Sequence, residues 1–200
     1  MAQALQLIVG RDSTWSLRAY LCMQLAEFEF SCSAIALGEA GYQQQLAKCS
    51  PSKLVPVLHV GELIIHDSLA ISEYLNEQSS GKLYPVQAHL RAQARSYLAE
   101  LHAGFMAIRQ GLPFHFEEQS KPADLSAEIG AELERLSTIW QQFDGCFAFN
   151  KAGALDAFYA VMALRLANYD IEFDGAAGRY QQHLIAWPLF QRAIDIAKQW

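Results

Sequence analysis

The 200-residue sequence predicts an α/β domain followed by an all-α domain. Before residue 80, short β-rich runs alternate with stretches of helical periodicity. Two of these runs are separated only by Gly61-Glu62, a pattern typical of a hairpin turn. After about residue 86 no strand pattern remains. We therefore expect domains at 1–80 and 86–200, joined by a linker at Leu83-Tyr84-Pro85.

The first domain begins with an apolar strand and a polar loop, at Leu5–Val9 and Arg11–Ser16. Helical periodicity follows in Leu17–Ala26, and residues Phe28–Ala36 alternate in the manner of a second strand. Gly41–Cys49 is predicted to be a short, partly exposed helix. These patterns give the order strand, helix, strand, helix.

The hairpin and one further helix complete this domain. Val57–Val60 and Leu63–Ile65 are the two strands of the hairpin, and the helix runs from Asp67 to about Gln78. Asp67 is a good N-cap because its carboxylate can accept the free N–H groups of the first helical turn. The complete order is that of a thioredoxin-like α/β domain.

The second domain is predicted to consist of helices only, at 87–110, 126–147, 154–169, about 177–184 and 188–198. The helix Ala154–Tyr169 is apolar all round, which predicts that it is fully buried. Asp156 near its start can accept the backbone N–H of Gly153, which is half of a capping box. We therefore interpret Asp156 as a structural residue.

Composition excludes several classes of function. The net charge of −6 argues against nucleic acid or an anionic membrane as a partner, and no apolar run approaches the roughly 18 residues of a membrane span. The N-terminus lacks the basic start of a signal peptide. The cysteines form no CxxC and no metal spacing, so we expect a reduced, cytoplasmic protein without a metal. They are Cys22, Cys32, Cys49 and Cys146.

The segment 50–76 offers a site for a small peptide that carries a carboxylate. Pro56 opens a strand, and if its bond to Val55 is cis, the N–H and C=O of Val55 turn outward as a short edge. Such an edge can pair with the backbone of an extended peptide. The helix start at Asp67-Ser68 attracts a carboxylate.

This arrangement resembles the glutathione-binding half of the glutathione transferase family. The matching residues are Val55-Pro56-Val57-Leu58, Asp67-Ser68-Leu69-Ala70-Ile71 and Tyr74-Leu75. The resemblance implies glutathione as co-substrate and a homodimer. It also implies that Val55, before the cis-proline Pro56, pairs with the cysteinyl backbone of glutathione, and that Asp67 and Ser68 hold its γ-glutamyl end. Lys53 is a candidate for the glycyl carboxylate, although Leu54 stands between it and the usual spacing.

The resemblance places the chemistry at the start of the first helix, where a hydroxyl lowers the thiol pKa of bound glutathione. No tyrosine or cysteine occurs in the first nineteen residues, so a serine-type site is expected. Alignment to the zeta class places the hydroxyl at Ser13, and alignment to theta- and delta-type chains places it at Thr14. Either residue could instead only cap the helix. Trp15 stands where the zeta class has a cysteine.

The second-substrate pocket is expected beside His102, Phe105 and Arg109, which share one helical face. For His102, an interhelical contact is the alternative. The leading hypothesis is attack of the glutathione thiolate on a hydrophobic electrophile. One alternative is a zeta-like cis–trans isomerase of maleyl-type diacids, for which Arg109 is the candidate cation. The other is a non-catalytic binding protein of the same fold.

Overall fold

The computed structural model describes residues 4–200, which form two compact units. The first unit extends to Tyr84 and also includes Arg192–Trp200, and the second is Pro85–Gln191. The ring of Trp200 contacts that of Tyr20 edge-on, with 5.7 Å between centroids, so an aromatic contact contributes to this grouping. The sequence had placed 192–200 with the second domain.

The first unit is a four-stranded mixed sheet with three helices, and this confirms the predicted thioredoxin-like class. Its sheet has the order β2-β1-β3-β4, in which β1 and β2 are parallel and the other neighbouring pairs are antiparallel. The elements are β1 (Leu5–Gly10), α1 (Thr14–Leu25), β2 (Ser31–Ile35), α2 (Tyr42–Cys49), β3 (Val57–Val60), β4 (Leu63–His66) and α3 (Ser68–Gln78).

Alternation along the strands explains how the sheet is covered on both faces. Successive side chains of a strand point to opposite faces. Ile8 and Val57 pack with Leu46 of α2 in one apolar cluster. Their neighbours Leu7 and Leu58, whose side chains point to the opposite face of the sheet, are also fully buried. Helices α1 and α3 contact each other as well as strands of the sheet.

Helix α1 begins earlier than the sequence pattern predicts. Residues up to Ser16 were expected to form a loop, with the helix from Leu17, but α1 starts at Thr14. The prediction was wrong because the side chain of Ser13 caps the helix and satisfies a backbone N–H that the polar composition alone does not reveal. The second strand is also shorter than predicted, at Ser31–Ile35.

The second unit is helical throughout. It contains α4 (Ala88–Ala103), α5 (Met106–Gly111), α6 (Ala127–Trp140), α7 (Ala154–Ala167) and α8 (Gly175–Ala186). The last helix, α9 (Pro188–Ala197), begins in this unit, and its residues from Arg192 onward are grouped with the first unit. Almost every residue of α7 is buried, as its apolar composition predicts. None of the helices within residues 4–200 is long and apolar enough to cross a membrane.

The single helix predicted for 87–110 is instead two helices. Helix α4 ends with Gly104 as its C-cap, and Phe105 takes a left-handed conformation with φ of +57°. Arg109 folds back across the break, and its Nε and Nη2 donate to the carbonyls of Gly104 and Leu101 at 3.1 and 2.6 Å. The guanidinium thus satisfies carbonyls at the end of α4 that have no partner within the helix.

The start of α5 is satisfied from a different helix. The carboxylate of Glu132 in α6 accepts the backbone N–H groups of Ala107 and Ile108 at 3.2 and 2.8 Å. Because this cap comes from a distant part of the sequence, local periodicity could not predict the break. Helix α6 itself ends at Trp140 rather than Phe147, with Gln141 as its C-cap.

Candidate active site

The end of β1 lies against the segment that precedes β3. A Cβ atom added at Gly10 would come within 2.6 Å of Val55 Cγ2 and of Leu37 Cδ1, so only glycine fits without displacing these side chains. Ser13 follows Gly10 after a short turn, in which the Ser13 N–H donates to the Gly10 carbonyl at 3.1 Å. The fold therefore brings the predicted thiol-activating loop next to the predicted peptide edge.

Ser13 is the N-cap of α1, and its Oγ accepts the backbone N–H of Ser16 at 3.2 Å. A hydroxyl that accepts in this way still has its own proton to donate. Ser13 is half-buried, whereas Thr14, at the first helical position, is only 7% exposed. Helix capping and donation to a bound thiolate are thus both open to Ser13.

The Val55–Pro56 peptide bond is cis, as the sequence predicts. Within residues 4–200, neither the N–H nor the C=O of Val55 forms a hydrogen bond with another group of the chain. Buried or half-buried backbone groups are normally paired. The backbone of Val55 is therefore available as the edge for a peptide ligand.

The start of α3 combines an acid with a buried hydroxyl. Asp67 is the N-cap, with φ of +76°, and its Oδ1 accepts the N–H groups of Leu69 and Ala70 at 2.8 and 3.4 Å. Ser68 is 1% exposed, and its Oγ has no hydrogen-bond partner within residues 4–200. An unsatisfied buried hydroxyl is costly, so this Oγ is available to a polar group that enters from outside the chain.

Lys53 is exposed, in a turn where its N–H donates to the Ser50 carbonyl at 3.0 Å. Its backbone is left-handed, with φ of +55°. The residue lies two positions before Val55, and its long side chain is exposed to solvent. Contact between Lys53 and a carboxylate remains a prediction.

The three residues expected at the second-substrate pocket lie around the break between α4 and α5. His102 is half-buried in the last turn of α4, and Phe105 is buried at the break itself. The guanidinium of Arg109 donates to two carbonyls of α4, and its burial lowers the pKa of the side chain. These contacts give Arg109 a structural role, and its role toward a substrate remains a prediction.

Three of the chain's own thiols are poor nucleophiles at neutral pH. Burial raises the pKa of the Cys22 thiol, raises that of Cys32 to about 11, and raises that of Cys49. Only the thiolate form attacks electrophiles, so these cysteines stay protonated and unreactive. Among residues 4–200 there is also no group of three or more side chains that could hold a metal ion.

Two residues that help to build the site were missed from the sequence. Gly10 allows β1 to approach Val55, and Ser16 accepts the Gly10 N–H through its Oγ at 3.0 Å. Ser16 stands three positions after the N-cap, as in a capping box, but its Oγ accepts from Gly10 and not from Ser13, so this spacing did not predict its contact. For Gly10 no local signal exists, because its neighbours Leu37 and Val55 are distant in sequence.

Comparison with known proteins gives a consistent result. Residues 12–78 match the family described as glutathione S-transferase, N-terminal domain. A probable maleylacetoacetate isomerase from Vibrio cholerae is 30% identical over 100 residues, which are 48% of this chain and 46% of that relative. The match thus spans about half the length of this curated relative.

Solved structures show the same fold over the whole chain. A glutathione transferase homologue from Burkholderia with bound glutathione has a TM-score of 0.76 at 20% identity, covering 99% of this chain and all of that one. A diazinon-metabolizing glutathione S-transferase from the silkworm Bombyx mori has a TM-score of 0.77 at 19% identity, with 98% of each chain covered.

Proposed function

We propose that this chain, a member of the glutathione S-transferase family, binds glutathione in its first unit and activates the glutathione thiol for attack on a hydrophobic electrophile. The observation that carries this proposal is the buried, unpartnered Oγ of Ser68 beside the N-cap Asp67. The γ-glutamyl end of glutathione has the carboxylate that would accept from this hydroxyl and from the helix start. Its ammonium group would face the Asp67 carboxylate.

The open backbone of Val55 supports the position of the rest of the tripeptide. Its N–H and C=O can pair with the cysteinyl residue of glutathione as in a two-stranded ladder. Since Gly10 lies against Val55, the cysteinyl sulfur would then be near the β1–α1 turn that carries Ser13. Lys53 is the candidate for the glycyl carboxylate.

The proposed reaction needs only the thiolate. Donation from Ser13 Oγ and the positive end of α1 stabilise the sulfur anion, and the thiol proton is released to water. The sulfur then forms a bond to the electrophilic carbon while a leaving group departs with its electron pair, or a proton is taken up in an addition. We propose that His102, Phe105 and Arg109 contribute to recognition of the second substrate.

The test is glutathione binding by calorimetry together with conjugation of chlorodinitrobenzene, which releases chloride. We expect saturable binding and a turnover that requires glutathione. Absence of binding would overturn the proposal at its first step. Binding without turnover, over a panel of aryl halides and enones, would favour the non-catalytic alternative instead.

A second candidate function is cis–trans isomerisation of a maleyl-type diacid, and it is supported by the similarity to the Vibrio cholerae relative. This activity requires a cation for the substrate carboxylates, and Arg109 already donates to two carbonyls. Glutathione-dependent loss of maleylacetoacetate absorbance would identify it. Conjugation without isomerisation would contradict this second function and support the transferase activity only.

We also propose that the protein is a homodimer in the cytoplasm. The edge strand β4 exposes Leu63 at 49% and Ile64 at 40%, and covering such apolar side chains on an unpaired edge favours association. Light scattering with size-exclusion chromatography tests the dimer, and a Leu63→Lys, Ile64→Lys variant is expected to weaken it. A monomeric wild-type protein would contradict this part of the proposal.

A further inference from the structure

The last turn of α7 and the two residues after it hold the loop that follows α5. Arg165, Asn168 and Tyr169 follow the spacing of neighbours on a helix surface. Their side chains donate to three carbonyls of the loop: Arg165 Nη1 to Leu112 at 2.7 Å, Asn168 Nδ2 to His115 at 2.6 Å and Tyr169 Oη to Pro113 at 2.9 Å. The loop backbone is therefore fixed where it passes the guanidinium of Arg165.

Arg165 itself is incompletely satisfied. It is only 5% exposed, yet within residues 4–200 just one of its five N–H donors, to the Leu112 carbonyl, forms a hydrogen bond. The guanidinium also lies 5.8 Å from the centre of the Phe114 ring. No carboxylate in this described part of the chain bonds to it. Its remaining N–H donors are not fully enclosed by the chain, so they are open to water or to an anion that approaches from solvent.

The surroundings of Arg165 add positive rather than negative charge. Burial, together with the nearby charge of Arg109, lowers the pKa of Arg165 to about 10. Arg165 nevertheless remains protonated at neutral pH. The acid that faces Arg109 is Glu132, and its two oxygens already accept backbone N–H groups of α5. No carboxylate in the described part of the chain is among the groups that shift the pKa of Arg165.

We propose that Arg165, supported by the charge of Arg109, binds a small oxyanion beside the loop Leu112–Phe114. A planar guanidinium presents parallel N–H donors that match two oxygens of a carboxylate or phosphate. Asn168 and Tyr169 fix the loop to which Arg165 donates. The guanidinium is therefore oriented before an anion arrives, which reduces the entropic cost of binding. The ligand is either inorganic phosphate or the carboxylate of an organic acid, since both present this pair of oxygens.

The first test is thermal unfolding in phosphate, in acetate and in a sulfonate buffer at matched ionic strength and pH. At ten times its dissociation constant, the ligand should raise Tm by roughly 3–6 °C. A rise in phosphate alone would identify an inorganic oxyanion, and a rise in acetate a carboxylate. Arg165→Gln should abolish the rise, whereas Arg179→Gln, which removes an exposed charge on α8, should keep it. An equal rise in Arg165→Gln would overturn the proposal.

The second test does not depend on a variant that folds. Crystals of the wild-type protein soaked in bromide should show an anomalous peak in contact with the Arg165 guanidinium. Bromide binds where anions bind and can be located without ambiguity. Anomalous peaks elsewhere, with none at Arg165, would contradict the proposed site even if the Arg165→Gln protein proved too unstable to measure.

Discussion

Tyr180 in α8 donates its hydroxyl to Oδ1 of Asp156 in α7 at 2.7 Å, inside the second unit. The same carboxylate accepts the backbone N–H of Ala148 and that of Gly153, each at 2.9 Å. Asp156 therefore connects the start of α7, the loop before it and α8. The sequence predicted only the bond to Gly153, and the other two contacts make Asp156 a central structural residue of this unit.

Asp156 should make stability depend on pH in an unusual direction. Burial raises its pKa from 3.8 to about 6, against the opposing effect of its three donors. Between about pH 4 and pH 6 the folded state holds a proton that the unfolded state releases, so stability falls as the pH rises, by up to about 3 kcal/mol. Asp156→Asn lacks the titrating carboxyl. The difference in the free energy of unfolding between wild type and Asp156→Asn, measured in urea, should therefore shrink as the pH rises from about 4 to about 6. An advantage that grows with pH would show that the donors outweigh burial.

Gly10→Ala should disturb both stability and binding. The new methyl group would overlap Val55 Cγ2 and Leu37 Cδ1, and overpacking of this kind costs about 1–3 kcal/mol. Because Val55 must move, glutathione affinity should fall as well. Gly130→Ala in α6 is the matched control: apart from the backbone of α6 itself, no atom of residues 4–200 lies within 4 Å of the added methyl, so urea unfolding should show a gain of about 0.5–1 kcal/mol. Unchanged stability and affinity in Gly10→Ala would contradict the close approach of β1 to Val55.

Ser68→Ala and Ser72→Ala should have opposite effects. Ser68 Oγ has no partner within the described residues, so its removal should leave the ligand-free protein as stable or slightly more stable, but weaken glutathione binding by about 5- to 150-fold. Ser72 Oγ donates to the Leu69 carbonyl at 2.8 Å and is 3.4 Å from the Tyr84 hydroxyl. Its loss should cost about 1 kcal/mol of stability and leave binding intact. Equal glutathione affinity in the two variants, by calorimetry, would remove Ser68 from the site.

Local chemistry was enough to predict much of the first unit. The hairpin and the N-cap Asp67 follow from short patterns whose partners are neighbours in sequence, whereas the cis bond before Pro56 was expected from the resemblance to a known family. Helix α7 was equally clear, because a helix that is apolar on every side can only be buried.

Features that depend on distant residues were not predictable. The break at Gly104 is held by Glu132, and apolar periodicity continues across it. Arg165 was hidden in an apolar helix, and only the three-dimensional structure shows that no carboxylate within residues 4–200 reaches it. The orphan hydroxyl of Ser68 was likewise invisible, since burial and the absence of a partner are properties of the packed chain.

The role of Ser13 can be separated from its helix cap by comparing Ser13→Ala with Ser13→Gly. Ala removes both the cap and the hydroxyl, and should cost about 0.5–2 kcal/mol of stability as well as turnover. Gly is tolerated at an N-cap at a cost of only a few tenths of a kcal/mol and has no side-chain donor, so Ser13→Gly should retain most of the stability. If Ser13 Oγ donates to the glutathione thiolate, turnover should stay reduced by about 10- to 1000-fold in both variants.

The pH dependence and a neighbouring variant complete this test. Without the donor, the pKa of the bound glutathione thiol should rise, so the pH–rate profile of Ser13→Gly should move to higher pH while glutathione affinity stays near the wild-type value. Thr14→Val keeps the shape of the buried Thr14 and should be nearly as active as the wild type. Full activity in Ser13→Gly with loss in Thr14→Val would assign the thiol contact to Thr14. Full activity in both would leave the backbone N–H groups at the start of α1 as the activating groups.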